Sequence, residues 1–252
     1  MNNQCKSIGT YFQRFYDSQY VGNGKKRKKM NLYRHGMIFS TFLGSCLCIG
    51  LLAAALGTRY WIVSKAIRLN NSKSYGEIFF GLFEGERDLN VGYGTRQYPI
   101  NVPSEMSEMM IYSLWLGTVV CMCAGIIFSA AAAVFAVINT ATTPIGILTG
   151  IPGLYIWNIL SILFQIGAIT LWTLQYYKKL RYNVMNEENL KIEWTSNGMA
   201  YFGHSFWLVV ASAILQFINI IFIYSGTSDM REKQKTSQPV IEEKTNGAIM
   251  LY

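Results

Sequence analysis

Residues 109–138 read MMIYSLWLGTVVCMCAGIIFSAAAAVFAVI and contain no Asp, Glu, Lys, Arg or His. An α-helix rises about 1.5 Å per residue, so about 20 apolar residues cross the hydrocarbon core of a bilayer. A basic or acidic side chain at the bilayer centre costs roughly 2.5 to 3.5 kcal/mol, which is why a spanning segment excludes it. Three further runs, 37–57, 151–177 and 205–224, share both the length and the exclusion. Four such runs cannot all be buried as core helices of a soluble domain in a chain of 252 residues, of which 51% are hydrophobic and 14% charged. We therefore expect an all-α membrane protein, a bundle of four transmembrane helices.

Aromatic residues mark the ends of these runs as an interfacial belt does: Tyr60 and Trp61 after the first, Tyr176 and Tyr177 after the third, Phe206 and Trp207 opening the fourth. Trp115, Trp157 and Trp172 lie further in and read as packing residues.

Orientation follows from the basic flank Lys25, Lys26, Arg27, Lys28, Lys29 and Arg34 ahead of the first run. By the positive-inside rule segment 1–36 is cytoplasmic, and this cluster doubles as a contact for anionic membrane lipids. In isolation 25–29 would also suit a nucleic-acid patch. Its place before a membrane helix makes it a topology signal, and no nucleic-acid partner is expected. The net charge of +8 comes mostly from this segment. Ala53-Ala54-Ala55 resembles a signal-peptide cleavage site, but segment 1–36 is too long for an ordinary n-region. Alternation places 58–108 outside, 139–150 inside, 178–204 outside and 225–252 inside. The expected product is a multi-pass plasma-membrane protein with both termini cytoplasmic. Asn70-Asn71-Ser72 is an N-glycosylation acceptor in the first outer loop, with Asn70 the modified residue. Lys178, Lys179 and Arg181 in the second outer loop oppose this orientation, with less weight than the flank of the first helix.

The cysteines are Cys5, Cys46, Cys48, Cys121 and Cys123, none in an outer loop. A one-residue gap sets the thiols of each intramembrane pair about 200° apart on a helix, unlike metal ligands, so they read as small packing residues. Cys5 is a candidate acylation site. Pumps, proton-coupled carriers and voltage sensors need ionisable groups within the membrane. Intramembrane hydrolases need Ser/His, paired Asp or His/Glu constellations there. The four runs offer none, and His35 and His204 sit at their edges. No enzyme activity, cofactor or metal is expected.

Gly125, Ser129 and Ala133 form a stripe of small residues that lets a neighbouring helix approach closely. Asn158, Gln165, Gln216 and Asn219 read as polar glue between helices rather than as a pore lining. In the first outer loop Tyr60-Trp61-Ile62-Val63 and Ile78-Phe79-Phe80-Gly81-Leu82-Phe83 are β-branched and aromatic runs bounded by turn formers. They predict a small extracellular β-rich cap on the bundle. The C-terminal Met250, Leu251 and Tyr252 carry the spacing of a PDZ-domain ligand, with hydrophobic residues at the last and third-last positions.

Several landmarks stand in a familiar order. They are Gly57-Thr58 followed by Trp61-Ile62, then Phe80-Gly81-Leu82-Phe83-Glu84-Gly85-Glu86. Next come Gly150-Ile151-Pro152-Gly153-Leu154-Tyr155-Ile156-Trp157-Asn158, Ser205-Phe206-Trp207, and the end Ile249-Met250-Leu251-Tyr252. In this order, and in these positions relative to the spans, the chain resembles the clarins over roughly residues 37–252. The cysteine-free first outer loop and the wording of the third span resemble most the third vertebrate paralogue. The N-terminal extension through Asn31 departs from the short clarin N-terminus. The resemblance implies a glycosylated tetraspan with claudin-like architecture, also akin to auxiliary subunits of glutamate receptors. It implies a non-enzymatic structural or adaptor role, organising membrane-protein or actin-linked cytoskeletal complexes in sensory cells. Two alternatives stand beside it: an auxiliary subunit of a channel or receptor, and a claudin-like cell-cell junction protein. Claudins pair their outer-loop Trp and Gly-Leu-Trp motif with two cysteines. Here Trp61 and Gly81-Leu82-Phe83 lack them, which weighs against a junctional seal.

Overall fold

The computed structural model describes residues 35–90, 92, 94–141 and 148–236. Four long apolar helices are present: α1 (His35–Gly57), α3 (Tyr112–Ala141), α4 (Ile151–Gln175) and α6 (His204–Thr236). Each is long and apolar enough to cross a membrane, the apolar part of α6 being His204–Ser228. Pro152 stands in the first turn of α4, where its missing N–H costs no hydrogen bond. A Cβ at the neighbouring Gly153 would strike the carbonyl of Leu148, so the tight approach to α4 requires glycine there. At its other end α4 runs on into a single π-helical turn, Tyr176–Leu180.

The segment between α1 and α3 folds into strands β1 (Ile62–Arg68), β2 (Asn71–Phe80), β3 (Glu84–Asn90) and β4 (Thr95–Asn101), then the short helix α2 (Val102–Met109). The segment between α4 and α6 supplies the short helix α5 (Glu187–Lys191) and strands β5 (Trp194–Thr195) and β6 (Ala200–Phe202). All pairings are antiparallel, in the order β4-β3-β2-β1, with β5 and β6 both completing the free side of β1. Ile62 stands opposite Phe80 on one side and Phe202 on the other, and Phe80, Gly85 and Ile100 continue the row. The alternation expected of a half-buried strand is clear in β1, where Ile62, Ser64 and Ala66 face inward. In β4 only Ile100 is buried.

The bundle closes as a ring. Ser129 and Ser161 join α3 to α4, Asn158 and Gln216 join α4 to α6, and Ser45 and Asn219 join α6 to α1. On the side between α1 and α3, a Cβ at Gly125 of α3 would come within 3.6 Å of the Leu52 Cδ1 of α1. One core cluster runs from Leu52 and Met122 inside the bundle through Trp61, Trp115 and Trp172 to Ile62, Ile78 and Phe80 of the sheet. A second, of Ile38, Ala136, Leu154 and Ile223, seals the opposite end of the bundle.

The aromatic belt read from sequence needs correction at the first helix. Trp61 is fully buried, donates its indole Nε1–H to the Ala55 carbonyl at 2.6 Å, and meets Trp172 edge to face with centroids 5.0 Å apart. Phe206 is buried as well, stacked on Phe202 of β6. The reason is tertiary: the sheet folds over the helix ends and turns these rings from interface to core. Tyr177 and Trp207 are exposed, as a belt requires. Met109 closes α2 and, with Met110, is buried beneath the sheet, so the continuous helix starts at Tyr112.

Gly44 of α1 lies against Asn219, whose amide occupies the space a Cβ at Gly44 would take. Gly44→Ala is expected to lower stability by about 1 to 3 kcal/mol, because the buried amide must move and lose its partner. Thermal unfolding in detergent reads this, and adding Asn219→Ala should recover part of the loss.

Candidate functional site

Asn158, Ser161, Gln165, Ala168, Trp172 and Gln175 are buried at alternating steps of three and four along α4. That spacing draws a straight seam facing the bundle axis, and most of it is polar. Ser161 is the node. Its Oγ donates to the Gly125 carbonyl at 3.2 Å, shares a hydrogen bond of 2.7 Å with the Ser129 Oγ, and accepts from the Gln165 Nε2 at 2.9 Å. One turn toward the other end, the Gln216 Nε2 donates to the Asn158 Oδ1 at 2.9 Å, while the Asn158 Nδ2 donates to the Leu154 carbonyl at 2.7 Å. Between α1 and α6, Cys48 and Ser212 each donate to the other's carbonyl at 3.5 Å. The Asn219 Nδ2 reaches the Ser45 Oγ at 3.5 Å.

In lipid no hydrophobic force drives helix against helix, because acyl chains are as apolar as leucine. Close packing and such hydrogen bonds, each worth about 0.6 to 2 kcal/mol, must hold the ring. The small stripe serves this: Gly125, Ser129 and Ala133 are all buried on α3. A Cβ at Gly125 would meet the Gln165 Cγ at 3.4 Å. Several amide atoms of this interior, Gln165 Oε1, Gln216 Oε1 and both ends of Gln175, have no hydrogen-bond partner among the described residues. They make the interior polar without making it ionic.

At the sheet end a second set of contacts ties the layers together. The Trp61 N–H donates to the Phe80 carbonyl at 3.1 Å and the Trp61 carbonyl accepts from the Gly203 N–H at 3.0 Å, so this residue clips both β2 and the start of α6. The Trp115 Nε1 of α3 donates to the Leu82 carbonyl at 2.8 Å, and the Tyr176 hydroxyl to the Ala200 carbonyl at 2.8 Å. Thr58 and Ser205 share a hydroxyl hydrogen bond of 2.7 Å between the ends of α1 and α6. The nearly buried Arg87 of β3 pairs with Glu105 of α2 at 3.0 Å.

Asn70 stands exposed in the turn between β1 and β2. Lys25, Lys26, Arg27, Lys28 and Lys29, Cys5, and Met250, Leu251 and Tyr252 lie outside the described residues. Ser45, Ser161, Ser212 and Arg87 escaped the sequence reading. A hydroxyl in an apolar run looks alike whether it faces lipid or a neighbouring helix, and the only local signal was the placing of Ser161 between Asn158 and Gln165 at helical spacing. Among the described residues, no three His, Cys, Asp or Glu side chains come together as a metal site.

Four apolar spanning helices with polar interhelical contacts define a multi-pass tetraspan membrane protein. A family model described as Clarin-2, Clarin-2-like, matches residues 33–223. The chain belongs to the clarin family. It is 25% identical to Clarin-3 of Mus musculus over 218 residues, which cover 84% of this chain and 96% of the mouse protein. It is 26% identical to Clarin-3 of Rattus norvegicus over 178 residues, 69% of this chain and 78% of the rat protein.

Replacing either partner of the Asn158–Gln216 bond by Leu strands the other amide. Each single variant is expected to lose about 0.6 to 2 kcal/mol, and the double variant less than the sum of the two. Unfolding midpoints of the four proteins in one detergent check this.

Proposed function

We propose that this chain is a non-enzymatic structural or adaptor tetraspan of the plasma membrane that organises membrane-protein or actin-linked complexes. The carrying observation is the junction around Trp61, where the sheet and the bundle share one apolar core and a set of backbone hydrogen bonds. A folded layer joined so firmly to the membrane helices gives a partner on one side a fixed relation to a partner on the other. The sheet stands outside the cell and both termini inside, an orientation supported by the basic flank at 25–29 and by the exposed sequon at Asn70. The seam supports a holding role rather than chemistry: its amides and hydroxyls offer hydrogen bonds but no general base beside a nucleophile. The C-terminal Met250-Leu251-Tyr252 is the proposed grip for a PDZ-domain protein.

An auxiliary subunit of a channel or receptor is the second reading. Ile67 pairs with Tyr75 across the sheet, and the Leu69 N–H donates to the Glu193 carbonyl beside Ile192. Ile67, Leu69, Tyr75 and Ile192 all expose their side chains, with Leu69 73% accessible. Clustered exposed apolar residues of this kind mark docking surfaces.

Proximity labelling from the C-terminus in intact cells is expected to recover cytoskeletal and PDZ-containing proteins, and an Ala appended after Tyr252 to remove the PDZ class. Recovery dominated by one channel or receptor, unchanged by the added Ala, would favour the second reading instead. The orientation has its own check: Asn70→Gln should abolish an endoglycosidase-sensitive mobility shift, and a chain with no such shift before mutation would leave the proposed outward sheet without its glycan.

A further inference from the structure

A groove of about 590 Å3 opens where the sheet meets the bundle, lined by Arg59, Phe83, Glu84, Pro99, Asn101 and Pro103 among others. Its depth in the membrane follows from its walls. Arg59 stands two residues beyond Gly57, the last residue of α1. Phe83 meets the ring of Trp115, in the first turn of α3, edge to face with centroids 6.3 Å apart. The Phe83 carbonyl accepts from the N–H of Val102 at 3.0 Å, where α2 begins and leads toward α3. A groove lined by a residue just beyond the end of α1 and by one whose ring touches the first turn of α3 lies at the headgroup level of one leaflet. Its size falls within the range of about 300 to 1,000 Å3 usual for small-ligand sites.

The chemistry of the groove is that of a zwitterion. The Arg59 guanidinium donates to the Glu84 Oε2 at 3.0 Å and stands 3.8 Å from the Glu86 Oε2. Ion pairs this exposed contribute little to stability, so the arrangement is free to exchange partners with a ligand. A guanidinium fork suits a phosphate. The Glu84 carboxylate, which lines the groove with the partly exposed ring of Phe83, suits a quaternary ammonium, which aromatic faces also attract. One cation between two carboxylates leaves the site with an excess negative charge. An anionic headgroup would add to that excess, whereas a zwitterion brings a partner for each sign. The exposed Tyr112, Leu116 and Val120 follow one another at four-residue spacing from the start of α3 past Trp115, an apolar track on which acyl chains can lie.

We propose that this groove binds the phosphocholine headgroup of a phospholipid in the leaflet next to the sheet, with Arg59 on the phosphate and Glu84 and Phe83 around the ammonium.

Native mass spectrometry of the full chain in detergent, offered dioleoyl phosphatidylcholine or dioleoyl phosphatidylglycerol, tests this. Retention of one phosphatidylcholine about tenfold above phosphatidylglycerol is expected from the charge-assisted contacts. Arg59→Gln and Phe83→Ala should each reduce that retention about fivefold or more, while Ile214→Ala, on the lipid-facing side of α6, leaves it unchanged. Unfolding midpoints report whether each variant remains folded, and Arg59→Lys, which keeps the charge and loses the fork, serves if Arg59→Gln does not. Equal retention of the two lipids, or retention indifferent to Arg59 and Phe83, overturns the proposal. Soluble phosphocholine binding as well as the lipid would overturn the membrane source of the ligand.

Discussion

Trp61 sits at the single place where every layer of this protein meets. Its ring is fully buried against the edge of Trp172, its indole N–H holds the Ala55 carbonyl of α1, and its own peptide groups hold β2 and the chain leading into α6. Three spanning helices and the central strands are thereby fastened within a few residues. Burial of one large apolar side chain contributes about 1.5 to 3 kcal/mol where water is excluded, and here Trp172, Phe80 and Ile62 are buried with Trp61. The junction therefore concentrates hydrophobic stabilisation at the level where the membrane gives way to water and that force begins to act.

Deeper in the bundle the balance changes. Lipid surrounds the helices with groups as apolar as their own, so burial of leucine or valine gives no preference for neighbour over solvent. What remains is shape and hydrogen bonding. Gly44 and Gly125 make room for the side chains of Asn219 and Gln165, and Ser161, Asn158, Gln216 and Asn219 join one helix to the next. Outward-facing positions such as Leu47, Ile127, Leu163 and Phe217 remain exposed for acyl chains. The same physics explains why the seam is polar yet uncharged: an amide can find a partner across a helix pair, whereas an ion would need a complete counter-charge.

The sheet presents two surfaces of different character. Near the bundle, Arg59 and Glu84 line a charged groove beside the ring of Phe83. Further along, Ile67 of β1, Leu69 in the turn and Tyr75 of β2 give an apolar one. They suit different company, a headgroup in the first case and a protein surface in the second.

The four spans were legible because charge is so costly in hydrocarbon that its absence over twenty or more residues is a signal without a partner. The small residues of α3 and the amides of α4 and α6 were legible as interhelical material for a related reason, since few other roles suit them in lipid. The apolar runs Tyr60–Val63 and Ile78–Phe83 also pointed to strands; β1 takes in Ile62 and Val63 and β2 takes in Ile78, Phe79 and Phe80, but each strand extends well outside its run. The later strands carried no such pattern: Glu84–Asn90 and Thr95–Asn101 are largely polar, and pairing with β2 rather than their own composition makes them strands. Which hydroxyl meets which amide, and whether Trp61 faces lipid or core, depended on helices and strands distant in sequence coming together. Transfer energy is a property of each residue and can be read from the chain alone. Contact between Trp61 and Trp172, or between Ser129 and Ser161, is a property of a pair, and only the assembled fold decides it.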